Sequence, residues 1–435
     1  MRSKYHFFEY KENPLMLPDH ISWDEIEKYH FSFYDHQKNK QSTSCYELND
    51  ATSTLTTKYF VGLGWLNAER DIQIRIRPKI ESRHPSEASE TDILKILELI
   101  SQEKMDPFNW ENLIEIYWNQ PYISVSAEED ELTPFLFFHY ISILRKIVNK
   151  GLKRAYYPIT RNLPNRVKGK ILMGQHFKEN LAKGNPVHAF CQFQAFGWDH
   201  AENRLLKKAL LFGARYLHGH NGSTFFKDFS SDLTYLLPAF ETVGKDISVR
   251  EIQNIKFNSF YKEYHEAIPL AKMILRRFGY SIQNVKGKGQ IMTPPYWINM
   301  NQMFELYAFS RLKESGLGDV IFQFRGNYGS PDFLLPQQKM IADAKYKVQY
   351  AEPNLSPSRM IDDIRQLSGY GRDLKVRRRI HSEKEAPRCL IIYPDPVSGL
   401  EIDERITMDR IKTLREKPYF EKFFKIGIKL PLKEI

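Results

Sequence analysis

Two aspartates and one lysine lie close together in the segment 330–347, SPDFLLPQQKMIADAKYK. The pattern predicts two short strands joined by the polar turn PQQK, with Asp332 opening the first strand and Asp343 and Lys345 on the second. Alternate residues of a strand point to the same face, so Asp343 and Lys345 project together and the hairpin places Asp332 beside them. We therefore expect two carboxylates and an ammonium group to converge at one edge of a sheet.

These groups fit the hydrolysis of a phosphodiester bond. Mg²⁺ prefers hard oxygen ligands, usually one or two carboxylates with water and substrate phosphate, and we expect Mn²⁺ to substitute for it. Asp332, Asp343 and the backbone carbonyl of Ala344 would be the ligands. Lys345 would orient the attacking water and offset charge in the transition state. The alternative is an ordinary surface Asp–Lys pair, although a charged Asp343 within an apolar strand is costly unless it is paired or ligating.

Two predicted helices carry polar groups that would support this site. Glu305 lies on the apolar stripe of a helix predicted over 302–315, where it would add a carboxylate to the metal site. The alternative is a first-turn glutamate favoured by the helix dipole. Gln366 and Tyr370 share one face of a helix predicted over 358–374. Gln366 would bind the nucleophilic water or a DNA phosphate, or would simply face solvent.

Basic residues around these elements are candidates for DNA contact. Lys347 directly follows the hairpin and, like Tyr370, is predicted to touch DNA. The run KVRRR would grip phosphates beside the site or form a solvated surface, and its basic members are Lys375, Arg377, Arg378 and Arg379. The formal net charge of +10 favours a polyanionic partner.

The composition is that of a globular protein with several domains. The 435 residues are 42% apolar and 27% charged, which excludes a disordered or fibrous chain. The three cysteines are far apart, which excludes a disulfide framework and fits a reducing cytoplasm. We see no secretory signal and no apolar stretch of about 20 residues, so we expect a cytoplasmic protein with no membrane partner. We find no P-loop motif and expect no nucleotide site in this chain.

The hydrophobic patterns predict an α/β multidomain chain. A β-rich module over 1–125 contains a hairpin of two strands, 54–66 and 71–80, in which Gln73, Arg75 and Arg77 form a solvent-facing side. A mainly helical domain over 126–285 has helices at 133–154, 201–217 and 261–278 and an extended basic segment between the first two. An α/β domain over 286–435 adds strands at 320–325, 332–335, 340–346 and 389–393 to the two helices described above.

The order of the candidate residues resembles a known nuclease core. Glu305, Pro331–Asp332, the run 343–347 and Gln366 resemble the PD-(D/E)xK restriction-endonuclease fold. DAKYK followed by IRQLSGY is similar to the McrC family, the nuclease subunit of McrBC-type restriction systems for 5-methylcytosine DNA. The likeness extends to YFVGLGWL, IRIRPKI, RVKGKI and AENRLLKKAL upstream, and so covers about 55–395.

This resemblance implies a partner and a mode of action. Proteins of this family cut DNA together with an AAA+ GTPase ring of the McrB type, which reads the modified base in double-stranded DNA and translocates. The McrC-like subunit stimulates GTP hydrolysis and cleaves. On that basis Arg75, Arg77 and Lys79 would contact the partner, or else form a solvated strand face. Two other functions remain open: a non-cleaving, DNA-binding activator of the ring, and a stand-alone repair nuclease.

Overall fold

The chain forms two compact units in the computed structural model. The structure describes residues 3–17, 21–26, 31–34, 42–69, 72–81, 90–102, 113–126, 132–218, 225–247, 261–284, 290–352, 360–413 and 420–433. One unit combines residues 1–125 with 292–435, and the other comprises 126–291. Within the described residues, no helix is long and apolar enough to cross a membrane.

The described strands are, in chain order, β1 (Ser3–Phe8), β2 (Glu12–Pro14), β3 (Ser32–Tyr34), β4 (Ser42–Ser44), β5 (Tyr46–Asn49), β6 (Thr54–Thr57), β7 (Phe60–Asn67), β8 (Ile72–Arg77), β9 (Ile114–Ile116), β10 (Ile123–Ser126), β11 (Ala155–Pro164), β12 (Lys170–Ile171), β13 (His188–Gly197), β14 (Gln290–Thr293), β15 (Tyr296–Asn299), β16 (Ile321–Phe322), β17 (Phe333–Leu335), β18 (Met340–Ala344), β19 (Arg388–Pro394), β20 (Lys412–Thr413) and β21 (Phe423–Ile428). The described α-helices are α1 (Ile93–Gln102), α2 (Leu132–Lys150), α3 (Met173–Glu179), α4 (Ala201–His218), α5 (Phe225–Ala239), α6 (Lys262–Asn284), α7 (Met300–Lys313), α8 (Ile361–Arg372) and α9 (Leu374–Arg379).

A five-stranded sheet in the order β1-β8-β7-β15-β9 organises the N-terminal part of the first unit. The predicted hairpin is confirmed, since β7 and β8 pair antiparallel, and the isoleucines of β8 are buried. The predicted solvent-facing side of β8 is wrong: Gln73 is buried, and Arg75 and Arg77 are partly buried. Arg77 is covered in part by β1, which pairs parallel with β8 and brings the Phe8 ring to 4.9 Å from the Arg77 guanidinium.

Strand β15 follows the predicted domain boundary at 286 but belongs to this N-terminal sheet, where it lies between β7 and β9. It leads without a loop into helix α7, whose first turn is capped by the Asn299 side chain accepting from the Gln302 amide. The N-terminal sheet therefore fixes the start of the helix that carries Glu305.

The second unit contains helices α2, α4, α5 and α6 together with a three-stranded antiparallel sheet, β11-β13-β12. This sheet is formed by the predicted extended basic segment and β13, the long strand that follows it. Large apolar side chains in and around the sheet are exposed: Tyr156, Met173, Phe177, Val187 and Phe196. Exposed apolar groups gathered in this way are characteristic of surfaces that bind another macromolecule.

A six-stranded mixed sheet, in the order β16-β17-β18-β19-β21-β20, forms the C-terminal part of the first unit. Strands β16, β17 and β18 are antiparallel neighbours, whereas β18, β19 and β21 run parallel. The helix predicted over 358–374 ends at Arg372, and Asp373 caps a second helix that contains the basic run. The strand predicted over 320–325 shortens to Ile321–Phe322. The apolar residues of α8 pack on β19, which fixes this helix against the sheet.

Candidate active site

Asp332 and Asp343 meet at the open end of the β17–β18 hairpin. Phe333 pairs with Ala342 in the antiparallel register, so the two aspartates occupy the next positions on facing strands. The Ala344 amide donates to Asp332 Oδ2 at 2.9 Å, and the Asp332 and Asp343 carboxyls lie close enough to interact electrostatically. The predicted convergence of the two carboxylates is therefore present in the fold.

Burial disfavours ionisation of both carboxyls, and neighbouring negative charges add to this effect. Burial raises the pKa of Asp332 well above its ordinary value, and the charges of Asp343 and Glu305 raise it further. Asp343 is only 1% exposed, and burial raises its pKa despite the attraction of Lys345. A positive charge beside the two carboxyls offsets the cost of their ionisation.

Lys345 supplies a fixed positive charge beside the pair. Its Nζ lies 2.6 Å from Asp343 Oδ2 and 3.8 Å from Asp363 Oδ1, and it donates to Gln366 Oε1 at 2.8 Å. Burial disfavours the charged ammonium, but the attraction of Asp343, Asp363 and Asp332 outweighs it and raises the pKa of Lys345. Lys345 is therefore protonated at neutral pH and suits electrostatic stabilisation rather than proton abstraction.

Glu305 faces the strand that leads to Asp332. It is the sixth residue of α7, so the alternative of a first-turn glutamate is wrong. Gln323 connects the two acids: its side-chain amide donates to Glu305 Oε1 at 2.8 Å, and its backbone amide donates to the Asp332 carbonyl at 2.7 Å. The predicted helix acid thus belongs to the same constellation.

Gln366 and Tyr370 form a hydrogen-bonded chain with Lys345. Gln366 accepts from the lysine ammonium through its carbonyl and donates to Tyr370 Oη at 3.0 Å through its amide. Gln366 is also exposed, which leaves it accessible to a substrate on the outer face of α8. The predicted shared face of these residues is confirmed.

The basic residues predicted to touch DNA have different surroundings. Lys347 is half-exposed, and its ammonium donates to both carboxylate oxygens of Asp363 at 3.0 and 2.7 Å. Arg377 donates to the backbone carbonyls of residues 382, 383 and 385 and so holds that turn in place. Lys375, Arg378 and Arg379 are exposed on α9. DNA contact by each of these residues stays a prediction.

The ligand set expected for Mg²⁺ fits this geometry. Among the described residues, no group of three or more His, Cys, Asp or Glu side chains is arranged to hold a metal ion. Two carboxylates suffice for Mg²⁺ when water and phosphate complete the shell. In the described part of the chain, the buried Asp343 Oδ2 has no hydrogen-bond partner apart from its ion pair with Lys345. That oxygen already contacts one positive charge, the Lys345 ammonium at 2.6 Å.

The Ala344 carbonyl lies on the side where a third ligand is needed. The Lys345 amide donates to the Ile392 carbonyl on β19 at 2.8 Å, whereas the Ala344 amide donates to Asp332 on the opposite side. The N–H and C=O of one residue in an extended strand point to the same side. The carbonyl of Ala344 therefore faces Asp332 rather than β19.

Comparison with known protein families identifies the family to which the chain belongs. The family described as McrBC 5-methylcytosine restriction system component matches residues 55–394. The match covers more than three quarters of the chain and includes all of the candidate active site. The chain belongs to this family. The resemblance inferred from the sequence is thereby confirmed, while none of the curated proteins compared with the chain matches it.

Two solved structures from Thermococcus gammatolerans are similar to this McrBC-family chain. A chain of the refined half-complex from a tetradecameric assembly of McrB AAA+ hexamers with bound McrC is 15% identical, with 98% of this chain and 94% of that chain covered and a TM-score of 0.40. A chain of the cryo-EM McrBC complex is 14% identical, with 74% and 90% covered and a TM-score of 0.29.

The structure adds Asp363 to the site of this McrBC-family protein. Asp363 accepts from Lys347, from Tyr350 Oη at 2.6 Å, and lies close to Lys345. The sequence indicates this position. Met360, Ile364 and Leu367 follow the i, i+4, i+7 spacing of a buried helix face, and Asp363, at i+3, is a charged residue on that same face. The role of Gln323 could not be predicted from a periodic pattern, because this residue lies in an irregular segment and has a φ of 46°.

The three residues predicted to contact a partner lie outside the catalytic constellation. Arg77 lies 3.8 Å from both Glu81 and Glu90. The Lys79 ammonium lies 4.0 Å from the Tyr346 ring centroid. Arg75 lies on β8 with Arg77 and is partly buried. Their contacts with this chain are structural, and their contact with a partner stays a prediction.

Proposed function

We propose that this chain is the Mg²⁺-dependent endonuclease subunit of an McrBC-type, modification-dependent restriction complex in the cytoplasm. It cleaves phosphodiester bonds in double-stranded, modified DNA when driven by a McrB-like AAA+ GTPase ring whose hydrolysis it stimulates. The observation that carries the proposal is the Lys345 ammonium, 2.6 Å from the Asp343 carboxylate, beside Asp332 at the end of a β-hairpin.

Each residue of the chain has a distinct task in this reaction. Asp332, Asp343 and the Ala344 carbonyl would hold Mg²⁺, which when bound polarises the phosphoryl oxygen and acidifies the attacking water. Lys345 remains charged and stabilises the negative charge that develops on the phosphate. Gln366, which accepts from Lys345, orients the attacking water. Glu305 adds negative charge beside Asp332 and favours cation binding.

Family membership supports a division of labour between polypeptides. The family is described as one component of a 5-methylcytosine restriction system, which implies further components. The sequence of this chain contains no P-loop motif, so a nucleotide-driven motor would reside on another polypeptide. In the proposal that polypeptide is the AAA+ ring, and it reads the modified base.

Cleavage by the reconstituted complex tests the proposal. The chain is purified with its McrB-like partner and incubated with Mg²⁺, GTP, and DNA with or without 5-methylcytosine. Asp343→Ala and Lys345→Ala are each expected to lower cleavage at least about 100-fold, because each removes a group that acts on the transition state. Asp362→Ala is the matched control, since that neighbouring carboxylate has a side chain 89% exposed.

The outcomes separate the functional hypotheses. Both active-site variants should still bind the partner and stimulate GTP hydrolysis. Cleavage retained by either variant would show that the site is wrongly assigned. Stimulated hydrolysis without any cleavage by the wild type would favour the non-cleaving activator. Cleavage by the wild type without a partner would favour the stand-alone nuclease.

A further inference from the structure

The segment 325–331, which leads into Asp332, forms a tight turn that carries one almost fully exposed aromatic side chain. The Gly326 amide donates to the Gly329 carbonyl at 2.9 Å and closes the turn. Between them, Tyr328 is 95% exposed, the most exposed of the large hydrophobic side chains in the described residues. An aromatic ring held in solvent contributes nothing to packing of the chain itself.

Asp373 holds the backbone of this turn in place. Its Oδ2 accepts from the amides of Asn327 at 2.6 Å and Tyr328 at 3.4 Å, and its Oδ1 accepts from Asn327 Nδ2 at 2.8 Å. The same Oδ1 caps helix α9 by accepting from the Lys375 amide at 2.8 Å. One carboxylate thus joins the turn to the N-terminus of the basic helix.

The turn also packs against the residues that support the catalytic lysine. Gly329 has a φ of 119°, and a Cβ there would lie 2.8 Å from a ring carbon of Tyr370. Tyr370 accepts from Gln366, which in turn accepts from Lys345. The turn is therefore placed beside the catalytic groups.

Exposed basic side chains lie on the turn and on helix α9, which Asp373 joins. Arg325 precedes Tyr328 in the turn, and Lys375 lies 5.6 Å from the Phe324 ring, which brings α9 against the same segment. Arg378 and Arg379 continue this basic surface along α9. Basic side chains neutralise DNA phosphates, whereas an aromatic ring packs on sugars and bases.

We propose that Tyr328 contacts the substrate DNA next to the scissile phosphate, and that Asp373 is the positioning residue that holds the turn for this contact. The inference rests on the proposed nuclease function and extends it to the binding of substrate. The ring packs against the sugar or an exposed base face, while the basic residues of α9 bind the flanking phosphates.

Steady-state cleavage of duplex DNA by the complex of this chain with its AAA+ partner tests the inference. Tyr328→Ala is expected to raise KM for DNA about 10-fold or more, the typical effect of losing one aromatic–nucleotide contact, with little change in kcat. Tyr328→Phe should behave like the wild type, because the ring alone makes the contact. Tyr235→Ala, at another exposed tyrosine, is the control and should leave KM unchanged.

Salt dependence distinguishes an aromatic contact from an electrostatic one. Tyr328→Ala should leave the slope of log KM against log salt unchanged, whereas Arg378→Ala should reduce it, because only a phosphate contact releases counterions. Asp373→Asn keeps one oxygen to cap α9 but places an amide against the Asn327 and Tyr328 donors. It is expected to raise KM in the same way as Tyr328→Ala, with the thermal stability of the chain nearly unchanged.

The results distinguish a failure of this inference from a failure of the proposed function. If the wild-type complex cleaves and Tyr328→Ala has a KM within twofold of it, the inference is wrong while the proposed function stands. If KM rises equally in Tyr328→Phe, the ring contact is wrong. If the wild-type complex cleaves no DNA, the proposed function fails and the inference fails with it.

Discussion

Asp332→Asn should stabilise the metal-free protein at neutral pH, although Asp332 is proposed to be catalytic. The carboxyl is buried against Asp343 and near Glu305, and these surroundings raise its pKa. Asparagine retains an oxygen that can accept from the Ala344 amide, which now donates at 2.9 Å, and it removes the charge. The substitution therefore relieves an unfavourable interaction without opening a cavity.

The sign and size of this effect follow from proton linkage. A carboxyl whose pKa is higher in the folded state binds more protons there, so stability falls as pH rises from about 4 towards the folded pKa. Each unit of pKa difference corresponds to about 1.4 kcal/mol. We expect Asp332→Asn to raise the free energy of unfolding by on the order of 1–3 kcal/mol at pH 7.5, which is the usual cost of an uncompensated buried polar group. At pH 4 we expect no change. The change at pH 7.5 corresponds to a rise in Tm of about 2–6 °C for a unit of this size.

Asp343→Asn is the matched comparison, because it removes the other carboxylate of the pair. Its charge is partly compensated by Lys345 at 2.6 Å, and its loss would leave that buried ammonium with fewer partners. We therefore expect Asp343→Asn to raise the free energy of unfolding by less than Asp332→Asn does. Mg²⁺ at ten times its Kd should stabilise the wild type by about 1.4 kcal/mol and both variants much less.

Thermal unfolding followed by circular dichroism between pH 4 and 8, with EDTA and then with Mg²⁺, measures all of these effects. Asp362→Asn controls for an exposed aspartate on α8. A Tm for Asp332→Asn below that of the wild type at pH 7.5 without metal would refute the argument from buried charge. If Mg²⁺ raised the Tm of the wild type and of the variant equally, the ligand assignment would be refuted.

Three further predictions concern neighbours of the site. Gln366→Ala removes the acceptor for Lys345 and should lower cleavage about 10- to 100-fold while leaving Tm within about 2 °C, as measured by plasmid nicking and thermal unfolding. Asp363→Ala removes the buried acceptor of Lys347 and should destabilise the chain by about 1–3 kcal/mol in urea titrations. Glu9 is 1% exposed and burial raises its pKa, so its charge costs stability above about pH 4. Glu9→Gln should therefore raise Tm at pH 7.5 and leave it unchanged at pH 4.

The sequence was most informative where a local rule determines geometry. Alternation in a strand placed Asp343 and Lys345 on one face, and the i, i+4 spacing placed Gln366 beside Tyr370; the structure confirms both. The position of Asp332 opposite Asp343 follows from the hairpin register alone. The placement of these side chains could thus be inferred from residue types and short-range periodicity.

Features that depend on long-range pairing were not predictable. The exposed face expected for β8 is wrong at Arg77 because β1, more than 60 residues earlier in the chain, places the Phe8 ring against it. The helix expected over 358–374 divides because Asp373 can cap a new helix while also binding the turn at Asn327. Periodicity alone contains no information about either partner.

The residues 343–347 contact both halves of the first unit. Asp343, Lys345 and Lys347 point towards α8, whereas Tyr346 points the other way, into the N-terminal sheet. There its ring lies 4.0 Å from the Lys79 ammonium, and the Glu9 carboxylate lies beside its hydroxyl. The Tyr346 side chain thus joins the Lys79 ammonium to the backbone next to Lys345. If Lys79 contacts a partner, as the family resemblance implies, this packing would transmit the contact to the proposed active site.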